Sequence, residues 1–182
     1  MRKSDDLRKR YPRCPLILHA GEVIFGYGQR LLSTLLGSCV AITLWHPKAR
    51  IGGMCHFALP SRPQGLDAPE CLSAGRYGDE CIALFKELAL KHNTRISDYQ
   101  AKIFGGGNML TSVAEPHQDF ARVQRQSIGD ANSHLAYSLL SQHKVKILEA
   151  DVGEAGYRQL WFDPNTGESW VKFVAVSPSG FS

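Results

Sequence analysis

Cys39 and His56 are the residues whose types and spacing best suit chemistry. A thiolate is a strong nucleophile toward acyl carbon, and a neighbouring imidazole takes up and returns protons near neutral pH. Cys39 ends the run Gly37-Ser38-Cys39, and His56 lies seventeen positions later in Gly52-Gly53-Met54-Cys55-His56-Phe57. Singly, each has a plainer reading. Free cysteine is among the most buried residue types, and a lone histidine is more often structural. Only proximity separates the two readings. Ser38 is a rival nucleophile, but it is not set in Gly-x-Ser-x-Gly, and strand alternation points it away from His56.

Proximity depends on a hairpin. Val40 to Trp45 is apolar and β-rich, Ile51 to Phe57 is a returning arm, and His46-Pro47-Lys48-Ala49 reads as a type I turn with Pro47 at its second position. A fold-back between Pro47 and Lys48 sets Cys39 opposite His56, on one face, with Cβ atoms ~4.5–5.5 Å apart. A slip of one residue would turn His56 to the other face, and Gly52-Gly53 is a candidate bulge. Cys55 then faces away from the pair and reads as packing.

Around the hairpin, Arg13 to Phe25 suggests one or two strands, and Arg30 to Leu36 leads into Gly37. Pro60 to Gly78 is a long irregular segment placed to wall the site. Asp79 reads as the N-cap of a helix to about His92, with Cys81, Leu84, Phe85, Leu88 and Ala89 on its apolar face. Ala101 to Phe104 is a short strand ending in Gly105-Gly106-Gly107-Asn108. No Gly-Lys-Ser/Thr follows, so this is a turn of close backbone approach and not a phosphate loop. Glu115 to Gln126 carries no clear pattern. A second helix runs from Asn132 to His143 with Leu135, Leu139 and Leu140 inward. Val145 to Val152 reads as a strand, and a hairpin joins Tyr157–Phe162 to Ser169–Val176 around Asp163-Pro164-Asn165-Thr166-Gly167. Strands outnumber helices and form sequential hairpins, which predicts an α+β fold.

The 182 residues are 43% hydrophobic and 21% charged, with net charge +4. These values suit a globular chain: residues 14–182 read as one domain behind a basic, solvated tail over 1–13. No apolar run nears the ~18 residues of a membrane span. No secretory signal or nucleic-acid-binding motif is evident, so neither nucleic acid nor membrane insertion is expected. Five cysteines (Cys14, Cys39, Cys55, Cys71 and Cys81) with no Cys-x-x-Cys point to free thiols and a reducing, cytoplasmic setting. No ligand cluster suggests a metal. His19, His46, His92, His117, His134 and His143 have no comparable partner and suit solvated or capping roles.

Several stretches together resemble the CheD family of chemoreceptor glutamine deamidases. They are Leu35-Leu36-Gly37-Ser38-Cys39-Val40-Ala41; Gly52 through Pro60; Arg76-Tyr77-Gly78-Asp79; Ala101 through Gly107; Ile128-Gly129 with Asn132; Asp151-Val152-Gly153; and Thr166 through Lys172. They run in family order across nearly the whole chain. The resemblance implies packed mixed or antiparallel β-sheets, sandwich-like and flanked by helices, as in deamidating toxin domains. It implies hydrolysis of receptor glutamine side chains to glutamate and ammonia. It implies as partners the cytoplasmic regions of methyl-accepting chemotaxis receptors, and in some members a CheC-type phosphatase.

Carried over by position, Cys39 matches the nucleophile and His56 the catalytic histidine, while the third, hydroxyl-bearing group falls at Ser33 or the adjacent Thr34. An imidazolium at His56 would hold Cys39 as thiolate, and backbone N–H groups of Ser38 and Cys39 would receive the oxyanion. No cofactor is required. Arg76, Gly105, Gly106 and Asn108 are candidates for substrate docking. Two departures from the family pattern, the run Gly153-Glu154-Ala155-Gly156-Tyr157-Arg158 and the missing Arg beside Asn132, bear on the partner surface. They leave a receptor- or CheC-binding adaptor with little activity as the alternative. A transglutaminase or protease using the same acyl-enzyme is a weaker rival.

Overall fold

The computed structural model describes residues 11, 13–28, 30–63, 75–109 and 127–176. The expectations for Glu115 to Gln126, most of the 1–13 tail, Cys71, His117 and the middle of the Pro60–Gly78 segment lie outside these residues.

Nine strands and two helices follow in the order β1 (Leu16–Ile17), β2 (Val23–Gly26), β3 (Leu32–Leu36), β4 (Val40–His46), β5 (Ile51–Phe57), α1 (Gly78–Lys91), β6 (Gln100–Gly105), α2 (Ile128–Gln142), β7 (Lys146–Val152), β8 (Gly156–Phe162) and β9 (Ser169–Ala175) among the described residues. They form a five-stranded sheet, β2-β5-β4-β6-β7, and a four-stranded sheet, β1-β3-β8-β9. Most neighbours are antiparallel. The exceptions are β1 with β3, and β6 with β7, which α2 joins as a crossover. The α+β class and mixed sheets therefore stand as expected. No described helix is long and apolar enough to cross a membrane.

The central strands explain the layering. β5 is buried at every position, and β4 is buried from Val40 to Leu44, as strands covered on both faces must be. One face sends Val40, Ile42, Leu44, Cys55 and Phe57 against Cys81, Ile82, Phe85 and Ala89 of α1 and Ala136 and Leu140 of α2. The other sends Ala41, Met54 and Phe104 against Leu32, Leu36, Leu160 and Phe162 of the second sheet. Cys55 packs on the helix side, as its alternation required.

Several boundaries differ from the sequence-based expectation. The β4–β5 turn is longer. Arg50 N–H bonds to His46 O at 2.8 Å, Arg50 takes φ 53°, and His46 Nδ1 accepts from the amides of Lys48 and Ala49 at 3.2 and 3.1 Å. The fold-back is centred between Lys48 and Ala49, so Ala41, not Cys39, stands opposite His56. Gly52 and Gly53 form no bulge. A Cβ on Gly53 would meet Ile24 O at 2.5 Å, and one on Gly52 would meet Pro164 O at 2.9 Å, so both are close-approach sites. Helix α1 is preceded by Tyr77, which makes no side-chain cap, and Asp79 lies in its first turn. Ile82 is the buried residue missed on its apolar face, while Leu84 and Leu88 are half-buried. Helix α2 starts at Ile128, four residues before the expected start, because the Ser127 side chain caps it by accepting from Asp130 N at 3.0 Å.

Candidate active site

The corrected register shifts the pairing by two residues, and an even shift preserves the face. Cys39 and Ala41 lie on the same side by alternation, and Ala41 faces His56. Cys39, one residue before β4, is thus two positions along from the residue opposite His56, on the same side of the sheet. Both lie on the inter-sheet side, where partly buried Cys39 packs against the cluster of Leu36, Ala41, Met54 and Phe104.

β3, from the other sheet, supplies the hydroxyl that meets His56. Its pleat turns Ser33 and Thr34 to opposite faces. Ser33 Oγ donates to Leu160 O at 2.8 Å. Thr34, flanked on the inner face by Leu32 and Leu36, places its hydroxyl 2.8 Å from His56 Nδ1 and 2.8 Å from Leu18 O. A hydroxyl has one proton. With that proton directed to Leu18 O, the oxygen accepts from Nδ1–H, and this assigns the neutral tautomer with a bare Nε2. His56 Nε2 is buried and has no hydrogen-bond partner among the described residues. The histidine backbone is held as well: its N–H donates to Glu22 O at 3.1 Å, and its carbonyl accepts from Gly21 N at 2.7 Å.

The Gly37–Cys39 loop is fastened through three successive carbonyls. Gly37 O accepts from Gly107 N at 2.7 Å, Ser38 O from Asn132 Nδ2 at 3.0 Å and Cys39 O from Gly106 N at 2.8 Å. The glycine turn makes this possible. Gly105 and Gly106 have φ of 108° and 60°, and their Cβ atoms would lie 2.2 Å from Cys39 O and 2.0 Å from Ser133 Oγ. Gly129, in the first turn of α2, packs on the same turn; its Cβ would lie 2.4 Å from Gly106 O. Gly105 and Gly106 are consequently buried supports behind the nucleophile loop and present no docking surface, while Asn108 and Arg76 are exposed. The Arg76 carbonyl accepts from the amides of Ala58 and Leu59 at 3.0 and 3.3 Å, which brings the end of the Pro60–Gly78 segment beside the exit of β5.

Burial acts on both groups. Burial pushes the Cys39 thiol above its ordinary range, offset in part by its own backbone N–H. Burial also holds the His56 imidazole below the ordinary histidine value, against the opposing effect of Leu18 O. Both shifts run toward the uncharged forms, opposite in direction to a thiolate held by an imidazolium. A neutral imidazole with a bare Nε2 is a proton acceptor, and the half-buried Cys39 thiol lies on the same side of the sheet without a hydrogen bond to it.

Sequence reasoning missed Asn132 as a site contact, although its motif was noted, and missed Arg158. Arg158 is almost fully buried; its Nε donates to Asp151 at 2.8 Å and its Nη1 to Gly153 O at 2.7 Å, with the guanidinium 4.7 Å from the Phe173 ring centre. The run after Asp151 is therefore held from inside. A cavity of about 280 Å³ lined by residues such as Phe25, Tyr27, Arg30 and Pro164 includes none of Cys39, His56 or Thr34.

Residues 58–173 match the family described as CheD chemotactic sensory transduction. A protein of Pseudomonas syringae pv. tomato named "Probable chemoreceptor glutamine deamidase CheD" is 42% identical over 170 residues, covering 93% of this chain and 95% of its own. A "Probable chemoreceptor glutamine deamidase CheD 3" of Dechloromonas aromatica is 41% identical over 158 residues, covering 87% of this chain and 86% of its own. The crystal structure of the Bacillus licheniformis hypothetical protein YfiH overlaps 76% of this chain and 59% of its own, with TM-score 0.44 and 11% identity, too slight a likeness to bear on function. By the extent of these matches, the chain belongs to the CheD chemotactic sensory transduction family.

Proposed function

We propose that this protein hydrolyses glutamine side-chain amides in the cytoplasmic region of chemotaxis receptors, giving glutamate and ammonia, with Cys39 as nucleophile, His56 as acid and base, and Thr34 as the group that orients His56. The observation that carries the reading is the Leu18 O–Thr34–His56 chain of hydrogen bonds, which leaves Nε2 bare on the face shared with Cys39. The names of the curated relatives supply the substrate class.

A carboxamide is a poor electrophile with a poor leaving group, so the reaction needs a thiolate, a proton donor for nitrogen and a site for negative charge. As the glutamine Cδ approaches, His56 Nε2 takes the Cys39 proton and Sγ bonds to Cδ. The oxyanion is received by the Ser38 and Cys39 backbone N–H groups; one such donor contributes ~3–4 kcal/mol in comparable sites. Collapse breaks the C–N bond while Nε2–H protonates the departing nitrogen, leaving a γ-glutamyl thioester and ammonia. His56 then takes a proton from water, the hydroxide adds to Cδ, the C–S bond breaks and the thiolate recovers its proton. Thr34 keeps Nδ1 protonated and the ring aimed throughout, the office of the third member of a triad.

Receptor glutamines are chemically ordinary, so docking must select them. Exposed Arg76 and Asn108 flank the site and are the docking candidates, and a CheC-type phosphatase is a further candidate partner on that surface. Receptors of this kind present the modified glutamines in the cytoplasm, where free cysteines persist. The test is to incubate the protein with receptor cytoplasmic fragments and map glutamine-to-glutamate mass changes. Conversion that disappears in Cys39→Ala and His56→Ala supports the reading. Binding to several receptors without conversion would sink it in favour of an adaptor.

A further inference from the structure

Helix α2 directs one fully buried polar side chain at the ends of β4 and β5, and the mechanism above gives it no part. Asn132 Nδ2 donates to Ser38 O at 3.0 Å and to Ala58 O at 3.0 Å. Ser38 precedes the nucleophile, and Ala58 lies two residues beyond His56, just past the end of β5. A single amide therefore ties the loop that carries the thiol to the strand that carries the imidazole.

The orientation is forced. A flipped amide would set Oδ1 against two carbonyl oxygens, so Nδ2 must face them. Oδ1 is buried with no partner among the described residues, so both of the hydrogen bonds of this amide run through Nδ2 to the two carbonyls. The residue type is equally constrained: on so short a stem only a primary amide offers two forked N–H donors, whereas serine offers one and aspartate none.

We propose that Asn132 is a positioning residue for the reaction of Cys39, holding Ser38 and Ala58 at the separation that brings thiol and imidazole together. The inference rests on the Cys39–His56 reading, and its decisive test needs no substrate. Alkylation of Cys39 by iodoacetamide is followed peptide by peptide across pH in the unaltered protein, Asn132→Ser, Asn132→Asp, His56→Ala and the Asn132→Ser/His56→Ala double variant. Losing the tether slows Cys39 alkylation near neutral pH by about 10-fold or more, a displacement effect. The rates converge at high pH, where the thiol ionises without help. In the His56→Ala background, Asn132→Ser changes little further, because the two residues act as a unit.

Cys55 and Cys81 are fully buried and report general loosening. Both stay protected in the Asn132 variants if the role is positioning. An unchanged Cys39 profile, equal effects with and without His56, or rapid labelling of Cys55 and Cys81 in both Asn132 variants each overturns the proposal. With receptor fragments, Asn132→Ser lowers kcat far more than it raises KM. If the unaltered protein converts no glutamine, the deamidase reading falls while the alkylation series still judges Asn132.

Discussion

Ser33 and Thr34 stand side by side on β3, and the pleat sends their hydroxyls to different acceptors, Leu160 O and Leu18 O. Only Thr34 also meets His56. Thr34→Val keeps the shape but removes the acceptor for Nδ1–H, so glutamine conversion falls by about 10²-fold, the scale of general acid–base catalysis. Thr34→Ser retains most of the activity, and Ser33→Ala is the milder change, all read by mass spectrometry of the receptor fragment. Burial of His56 sets the pH behaviour. With the folded pKa below the ordinary value of ~6.5, the acid limb of kcat/KM has its midpoint below 6.5. The same shift acts on stability. Above ~6.5 both folded and unfolded forms are neutral and the contribution is constant. As pH falls from ~6.5 toward the lower folded pKa, the unfolded chain takes the proton first and stability drops. Thermal melts of the unaltered protein show this acid slope, and His56→Gln reduces it.

At the scale of elements, the β4–β5 hairpin and the glycine turn after β6 carry the geometry. The hairpin arms were legible because Val40–Trp45 is apolar and β-rich and Ile51–Phe57 returns after a proline turn. Its register was not, because turn length depends on Arg50 entering the left-handed region and on His46 Nδ1 collecting two amides. The error was an even number of residues, so the face of His56 survived it. The glycine turn has less tolerance. Gly105→Ala places a Cβ 2.2 Å from the Cys39 carbonyl at a φ of 108°, against backbone that no rotamer relieves. We expect a loss of about 1–3 kcal/mol or more in urea unfolding, with slower Cys39 alkylation, because the strain falls on the nucleophile loop.

At the scale of the whole molecule, the site is a seam: Cys39 and His56 come from the five-stranded sheet and Thr34 from the four-stranded one. The chain passes for the last time from the five-stranded sheet to the four-stranded one between β7 and β8, where Arg158 bonds to Asp151 and to Gly153 O. Asp151→Ala leaves the buried guanidinium with only Gly153 O and the Phe173 ring as partners and is the more destabilising change. Arg158→Met keeps the packing on Phe173 and frees a carboxylate that is already 39% exposed, so it costs less. Chemical denaturation of the two variants gives that order, and the reverse order would mean that packing outweighs charge at this corner.

Residue order alone determined the α+β class, the two hairpins, the core placement of Cys55 and Cys81 and the shared face of Cys39 and His56. Each of these follows from rules that act over a few residues, such as strand alternation, turn chemistry and apolar periodicity. The same rules left Ser33 and Thr34 unresolved and gave Asn132 and Arg158 no part in the site. The partners of these residues lie on another sheet or helix, far along the chain. The contact of Thr34 with His56, the bare Nε2, the direction of the two burial shifts and the amide bridge from α2 were decided by tertiary structure, because burial and hydrogen-bond direction exist only once the two sheets and the helix close on one another.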